Sequence, residues 1–288
     1  MPQSLRQIKR RIRSVENTKK ITKAMEMIAA SKLKKYQDLL GQTRNYAAHL
    51  ERMLRSLISE TTAVKHPFFE KRDPREILIF LIASDSGLCG SYNYNLFQTT
   101  EDFLKELRLN SSFFPIGKQG SGFLKRKQFT IIGEISVPKP QDIASAVQTI
   151  IETSKRAFLE KKADEVYLIY TDYVSMANYK PRAEKLLPLE KIARSDESAA
   201  AIEYILEPSR EQILETMIPH HLEIKVEQAV KGALVSEQVA RMMAMRQATD
   251  NATEMIDTLT LQRNKARQAA ITKELIEVVS GSKALQAK

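Results

Sequence analysis

At 288 residues the chain is long enough for one large domain or two modest ones. Its 43% hydrophobic content and lack of low-complexity tracts exclude a disordered chain, and its single cysteine, Cys89, excludes an intrachain disulfide. The net charge of +10 sits in one place: residues 1–65 carry 15 Lys and Arg against 5 Asp and Glu, whereas 66–208 carry 19 against 20 and 209–288 carry 11 against 10. A basic arm of this kind implies an acidic partner, whether nucleic acid, lipid surface or acidic protein loops. No apolar run reaches the roughly 20 residues that span a bilayer.

The first predicted element is a long helix. The start, "MPQSLRQIKRRIRS", is basic without an apolar core, so it is not expected to be a secretory signal. It is Arg-rich like a transit peptide, but its apolar residues continue into the following helix without a break. A ladder of alternating three and four steps runs through Leu5, Ile8, Ile12, Val15, Lys19, Thr22, Glu26, Ala29, Leu33, Tyr36 and Leu40. A second apolar stripe, Ile21, Met25 and Ile28, appears where the first falters, so "AMEMIAA" (24–30) is apolar on nearly every side. The helix is expected to run to about Ser59, roughly 80 Å.

The middle of the chain has a different grammar. Six of the nine glycines lie between Gly87 and Gly133. "ILIFLIAS" (77–84) is a continuous apolar run, as expected of a strand buried on both faces, and 111–117, 129–135 and 165–173 are further strand candidates. Helical stretches at about 93–108, 119–127 and 140–161 alternate with them, which predicts a parallel α/β sheet. Pro181, Pro188 and Pro208 punctuate the return to a last helix, expected over His220–Ser280 and roughly 90 Å long. Its three–four seam is rich in small residues: Val226, Val230, Ala233, Ala240, Ala244, Ala248, Ala252, Met255, Leu259, Ala266, Ala269, Lys273 and Ile276. Neither long helix can bury its stripe alone, so the two are expected to form an antiparallel coiled coil with an inserted α/β domain. The expected division is 1–60 for the first arm, 61–208 for the α/β domain and 209–288 for the second arm.

Candidate chemistry is sparse. "SDSGLCGSYN" (84–93) and "GKQGSG" (117–122) stand where doubly wound folds bind phosphates, but neither carries the dinucleotide or P-loop fingerprint. Gly87 and Gly90 are explained by a tight strand-to-helix turn. Cys89 at a helix start could be a nucleophile, but no His motif supports it, and a buried structural thiol is the expectation. The histidines His49, His66, His220 and His221 lack ligand spacing. No catalytic, cofactor-binding or metal residue is therefore expected. Two other classes remain open: a basic helical hairpin that binds nucleic acid, and an α/β enzyme using the glycine turn near Cys89. Against the first, the arm has only Tyr36 and Tyr46 for stacking on bases, and "AMEMIAA" demands apolar surroundings that nucleic acid does not offer.

Four stretches converge on one family. "ITKAMEMIAASKLKK" (21–35), "SDSGLCGSYN" (84–93), "RMMAMRQATDNA" (241–252) and "NKARQAAITKELIEVVSG" (264–281) resemble the rotor, or gamma, subunits of F-type ATP synthases. Two departures stand out: Ser86, where the family usually has Arg, and Ser282, where it usually has Ala. The resemblance implies a coiled coil around a Rossmann-like domain, standing as an asymmetric shaft in a ring of alpha and beta subunits. Its foot would sit on the membrane proteolipid ring beside the epsilon subunit. The chain would carry rotation to the catalytic beta subunits and regulate ATPase activity and proton flow, with no cofactor and no catalysis of its own. By the same resemblance, Met25 faces the acidic lever loops of beta, with Lys19, Lys20 and Lys23 supplying complementary charge. Arg267, Gln268, Thr272 and Glu274 engage the alpha and beta head, Ile271–Val279 line an apolar collar, and Tyr204 touches epsilon and the ring. Without the extra cysteine pair of chloroplast relatives, the chain is expected peripherally at the cytoplasmic face of a bacterial inner membrane.

Overall fold

In α1 (Leu5–Ser59), the alternating ladder is buried or half-buried at every rung from Leu5 to Leu40, although only two rungs carry charge. Such a seam needs a partner helix. The partner is α5 (Arg210–Gln286), a helix that runs through Pro219 and begins ten residues before the expected start. Ser209 accepts a hydrogen bond from the backbone N–H of Gln212 (3.3 Å), which satisfies one orphan donor of that first turn. The structure, a computed structural model, describes residues 5–59, 66–189 and 209–286, so the expected divisions at 60 and 208 lie outside the described residues. It forms two compact units, residues 1–29 with 242–288 and residues 30–241.

The first unit is an antiparallel helix pair. Ile8 and Ile12 of α1 pack with Leu259 of α5, flanked by Val15 and Ala266. Farther along, Thr22 faces Thr249 across the seam, with Oγ1 to Oγ1 at 2.8 Å. The seam of α5 departs from its expected course. Met245 and Thr249 are buried, whereas Met255, expected inside, is exposed. Ala269, Lys273 and Ile276 are exposed as well, and so is every residue from Arg267 to Ser282. The pairing of Ile8 with Leu259 leaves few residues of α1 to lie beside this part of α5.

The second unit contains a five-stranded sheet in the order β3-β2-β1-β4-β5, with β1 at Glu76–Ile82, β2 at Asn110–Ile116, β3 at Thr130–Ile131, β4 at Glu165–Ser175 and β5 at Asn178–Leu187. The first four strands are parallel, and α2 (Tyr92–Leu107), α3 (Lys118–Arg126) and α4 (Ile143–Leu159) connect them. Every residue of β1 after Glu76 is buried, so both its faces are covered, as its apolar run predicts. On one face Ile77, Ile79 and Leu81 pack with Leu96 of α2, Phe123 and Leu124 of α3, and Tyr167 and Ile169 of β4. The strand expected over 129–135 contracts to two residues and a single bridge from Ile135 to Ile116. At Gly133 a side chain would meet the Phe114 ring at 2.7 Å, so the backbone there lies against an aromatic ring.

The expected parallel sheet is present and carries one antiparallel edge strand. β5 folds back antiparallel to β4 through a two-residue turn at Met176 and Ala177, with Thr171 opposite Pro181. Proline has no N–H to give a ladder and belongs on an edge strand, which is where β5 lies.

Within the same unit, α5 is enclosed. All thirteen residues from Ala229 to Arg241 are buried. Tyr92 of α2 donates to the Ala233 carbonyl (3.3 Å), and a side chain at Gly232 would stand 3.5 Å from the Asp172 carboxylate of β4. On the α1 side, Lys231 donates to Thr43 Oγ1 (2.7 Å) and to Glu227 (2.5 Å). Gln37 and Arg44 of α1 in turn donate to the Tyr173 hydroxyl and carbonyl of β4.

Candidate partner-binding surface

The glycine turns are the first positions to test for chemistry. α3 starts where a phosphate would dock, but its first N–H, that of Lys118, donates to Asp85 Oδ1 (3.0 Å). The other oxygen of Asp85 accepts from the Val137 N–H (3.2 Å). A carboxylate of the chain thus already fills the anion position. Gly117, at φ +100°, needs glycine for packing: a Cβ would stand 2.4 Å from the Ala83 carbonyl oxygen. At the other turn Cys89 is buried beside Tyr92 and Ala240. Burial pushes its thiol pKa up, away from the thiolate that a nucleophile requires. Asn93 donates to Ser84 Oγ (2.7 Å) and to the Cys89 sulfur (3.3 Å), so the side chains of this turn bond one another.

The candidate surface lies instead on the helix pair of the first unit. With Thr22 in the seam, the helical period turns Ile21 and Ile28 outward at 60% and 56% exposure, and Met27 at 64%. Among the described residues no side chain of the unit covers this apolar face. Met25, expected on it, is half-buried beside the seam instead. Lys20 and Lys23 are exposed next to the apolar patch, and Lys19 is half-buried on the ladder. Lys23, itself exposed, pairs with the half-buried Glu26 at 3.0 Å, one turn on.

The second part of the surface is the end of α5. Arg267, Gln268, Thr272 and Glu274 are exposed, and Thr272 turns its hydroxyl back to the Gln268 carbonyl (2.9 Å). Around them Ile271, Leu275, Ile276, Val278 and Val279 are all at least half exposed or nearly so, a density of apolar surface that marks a binding site on an ordinary soluble protein. The two clusters are separate. Arg267 lies eighteen residues beyond Thr249, the partner of Thr22, which is about 27 Å of helix. Tyr204 lies outside the described residues. Ser282 is exposed on α5; Ser86 is exposed too, and it is its carbonyl that makes internal bonds.

The buried polar layer of α5 was not anticipated. Lys231, Glu237 and Arg241 sit among small apolar residues that read as a plain seam, yet all three are buried. The available signal is the i, i+4 spacing of Glu227 with Lys231 and of Glu237 with Arg241, which lets each cation carry its own counterion into the interior. Among the described residues no group of three or more His, Cys, Asp and Glu could hold a metal ion, and no helix is long and apolar enough to cross a membrane.

The ATP synthase family pattern matches residues 4–285. The ATP synthase gamma chain of Desulfitobacterium hafniense is 40% identical over 290 residues, covering 98% of this chain and 99% of the relative. That of Moorella thermoacetica is 40% identical over 289 residues, with the same coverage. Among solved structures, a chain of the Tetrahymena thermophila mitochondrial ATP synthase central stalk and c-ring is 25% identical, with a TM-score of 0.57 over 79% of this chain and 99% of that one. A chain of the Euglena gracilis mitochondrial assembly of OSCP, F1 and c-ring shares the fold at a TM-score of 0.67 and 18% identity, covering 98% and 95%. With a match from residue 4 to residue 285 and 40% identity sustained over nearly the whole length, the chain belongs to the ATP synthase gamma-chain family.

Proposed function

We propose that this chain is the central-stalk rotor subunit of a proton-translocating ATP synthase. It transmits rotation of the membrane ring to the catalytic head of alpha and beta subunits and itself catalyses nothing. One observation carries the reading within the family: the lysine-flanked face of Ile21, Met27 and Ile28 is apolar and uncovered. Such a face is stable only inside a sleeve. Lys19, Lys20 and Lys23, with Met25 at the edge, meet acidic loops of the beta subunits. Arg267, Gln268, Thr272 and Glu274 meet the head farther along, and the exposed apolar end of α5 turns in its collar. A rotor acts on the head only through the difference in its contacts with the successive states of beta, so each contact must be weak.

Contact of Tyr204 with an epsilon subunit and the ring, and a peripheral place at the cytoplasmic face of a bacterial inner membrane, belong to the same proposal. The single cysteine leaves no dithiol switch. A nucleic-acid role is not supported: the face that would meet the phosphates carries Ile21, Met27 and Ile28 among its lysines.

The test is reconstitution. Alpha and beta subunits are mixed with and without the chain, and ATPase activity and assembly are measured. Both are expected to depend on the chain; independence from it overturns the proposal.

A further inference from the structure

The stretch of α5 enclosed in the second unit, residues 229–241, has an uneven surface chemistry. Its apolar part mixes the small residues Ala229, Gly232, Ala233 and Ala240 with Val230, Leu234, Val235 and Val239. Small side chains let neighbours approach closely, but they present shallow relief. A helix held by them alone can turn or slide at little cost, since apolar contact has no direction. At one end of the stretch the chemistry changes. Arg241 is 8% exposed, and its guanidinium donates to Glu237 one turn back (2.6 Å), to the Gly87 carbonyl (2.5 Å) and to the Ser86 carbonyl (3.3 Å).

The two carbonyls belong to the turn between β1 and α2, and that turn is shaped to present them. Leu88 adopts φ 62° and Gly90 φ 59°, so the backbone is left-handed on both sides of Cys89. For leucine this conformation costs about 1–3 kcal/mol and persists only where the surroundings enforce it. Ser84 Oγ donates to the Ser86 carbonyl as well (2.8 Å), which fixes the carbonyl that Arg241 uses. The leucine side chain gains nothing from the strain, because it is 64% exposed. Glu237 is buried with Arg241; desolvation raises its pKa and the guanidinium opposes that. A buried pair of this kind is weak evidence for stability, because desolvation offsets the attraction, and a hydrophobic substitute often does as well. What the pair has that an apolar residue lacks is direction.

We propose that Arg241 is a positioning residue for rotation, locking α5 to the β1–α2 turn of the α/β domain so that torque passes through directed bonds as well as through undirected apolar contact. This rests on the rotor reading. A rotation of α5 by one residue, about 100°, would carry the guanidinium away from both carbonyls at once. Two other contacts join α5 to the α/β domain, Tyr92 to the Ala233 carbonyl (3.3 Å) and Lys225 to Glu184 of β5 (3.5 Å), but each is a single bond, whereas Arg241 holds two carbonyls of one turn; Lys231, with its bonds to Thr43 and Glu227, ties α5 to α1.

The experiment uses the assembled synthase with an optical probe on Glu106→Cys, exposed on α2, and the head arrested by a non-hydrolysable ATP analogue. The angular variance of the probe reports the torsional stiffness between the α/β domain and the head. Arg241→Ala is expected to assemble and hydrolyse ATP, to widen the variance by about twofold or more, and to pump fewer protons per ATP. Arg241→Lys, with a point charge in place of a planar fork, is expected between wild type and Arg241→Ala. Unchanged variance in an assembled Arg241→Ala complex overturns the inference. If that variant fails to assemble, Arg241→Lys and Glu237→Gln decide, and wild-type stiffness in both overturns it. A wild-type complex that does not rotate would sink the rotor reading instead.

Discussion

His220 and His221 stand side by side in the sequence, and the helix gives them different surroundings. His220 bonds the Tyr46 hydroxyl of α1 (2.9 Å) and approaches Glu223 (3.3 Å). His221 points inward, and burial, aided by the charge of Lys225, lowers its pKa to about 4. Its ordinary value is 6.5, which the unfolded chain retains. Below about pH 6.5 the unfolded state therefore takes up a proton that the folded state refuses, so stability falls as pH drops from about 6.5 to about 4. Burial lowers His66 in the same direction. Urea midpoints between pH 7 and pH 4 are expected to fall in the wild-type chain and to fall less steeply in His221→Gln; parallel curves would show that His221 does not carry the effect. Nothing in the doublet "HH" distinguishes the two residues, because burial, the main cause of the shift, is decided by the packing of the folded helix. Cys89, in contrast, was legible as a buried thiol from the lack of any nearby base.

At the scale of elements, the ladder of α1 was legible to the residue, because a seam with a fixed period survives two charged rungs. β5 was not. Its turn, Met176 and Ala177, contains no Gly, Asn or Asp to announce a hairpin, and Pro181 reads as punctuation before the last helix, although an edge strand admits it. The α5 seam was legible through Ala252 and again at Leu259 and Ala266, while Met255 between them points outward and Ala269, Lys273 and Ile276 beyond them are exposed. One polar rung invites measurement. Thr249 Oγ1 reaches Thr22 Oγ1 at 2.8 Å and the Met245 carbonyl at 2.8 Å, so the pair shares its donors inside an apolar seam. Thr249→Val is expected to cost about 0.5–1.5 kcal/mol, while Thr22→Val with Thr249→Val costs less than the sum of the single changes. Thermal unfolding in a double-mutant cycle measures the coupling, and strict additivity would mean that the hydroxyls do not interact.

On the scale of the whole molecule, the basic arm and the family were legible from short stretches, whereas the edges of the binding surface were not. That surface is completed by other chains, so no pattern within this one marks where it stops. Its two clusters are about 27 Å apart along the helix, which makes their effects close to additive. Lys23→Ala and Arg267→Ala are each expected to reduce protons pumped per ATP by about 2- to 5-fold, the scale of one exposed charge contact, and to multiply when combined. Folding should be unaffected, because both side chains are exposed. Proton pumping and hydrolysis by the same vesicles give the ratio, and wild-type coupling in the double variant with normal assembly would remove both residues from the proposed contact.

The enclosure of residues 229–241 also bears on how the chain is made. Tyr92 finds its acceptor at Ala233, 141 positions later, and Thr43 waits 188 positions for Lys231. At about 5–20 residues per second, a ribosome delivers that last helix roughly 10–40 s after α1 has emerged. In that interval the sheet and its helices hold an open groove lined with apolar side chains and unanswered carbonyls. The α/β domain is therefore expected to complete its own core only when the C-terminal helix arrives, so a chain truncated before residue 229 should fold less stably than the whole.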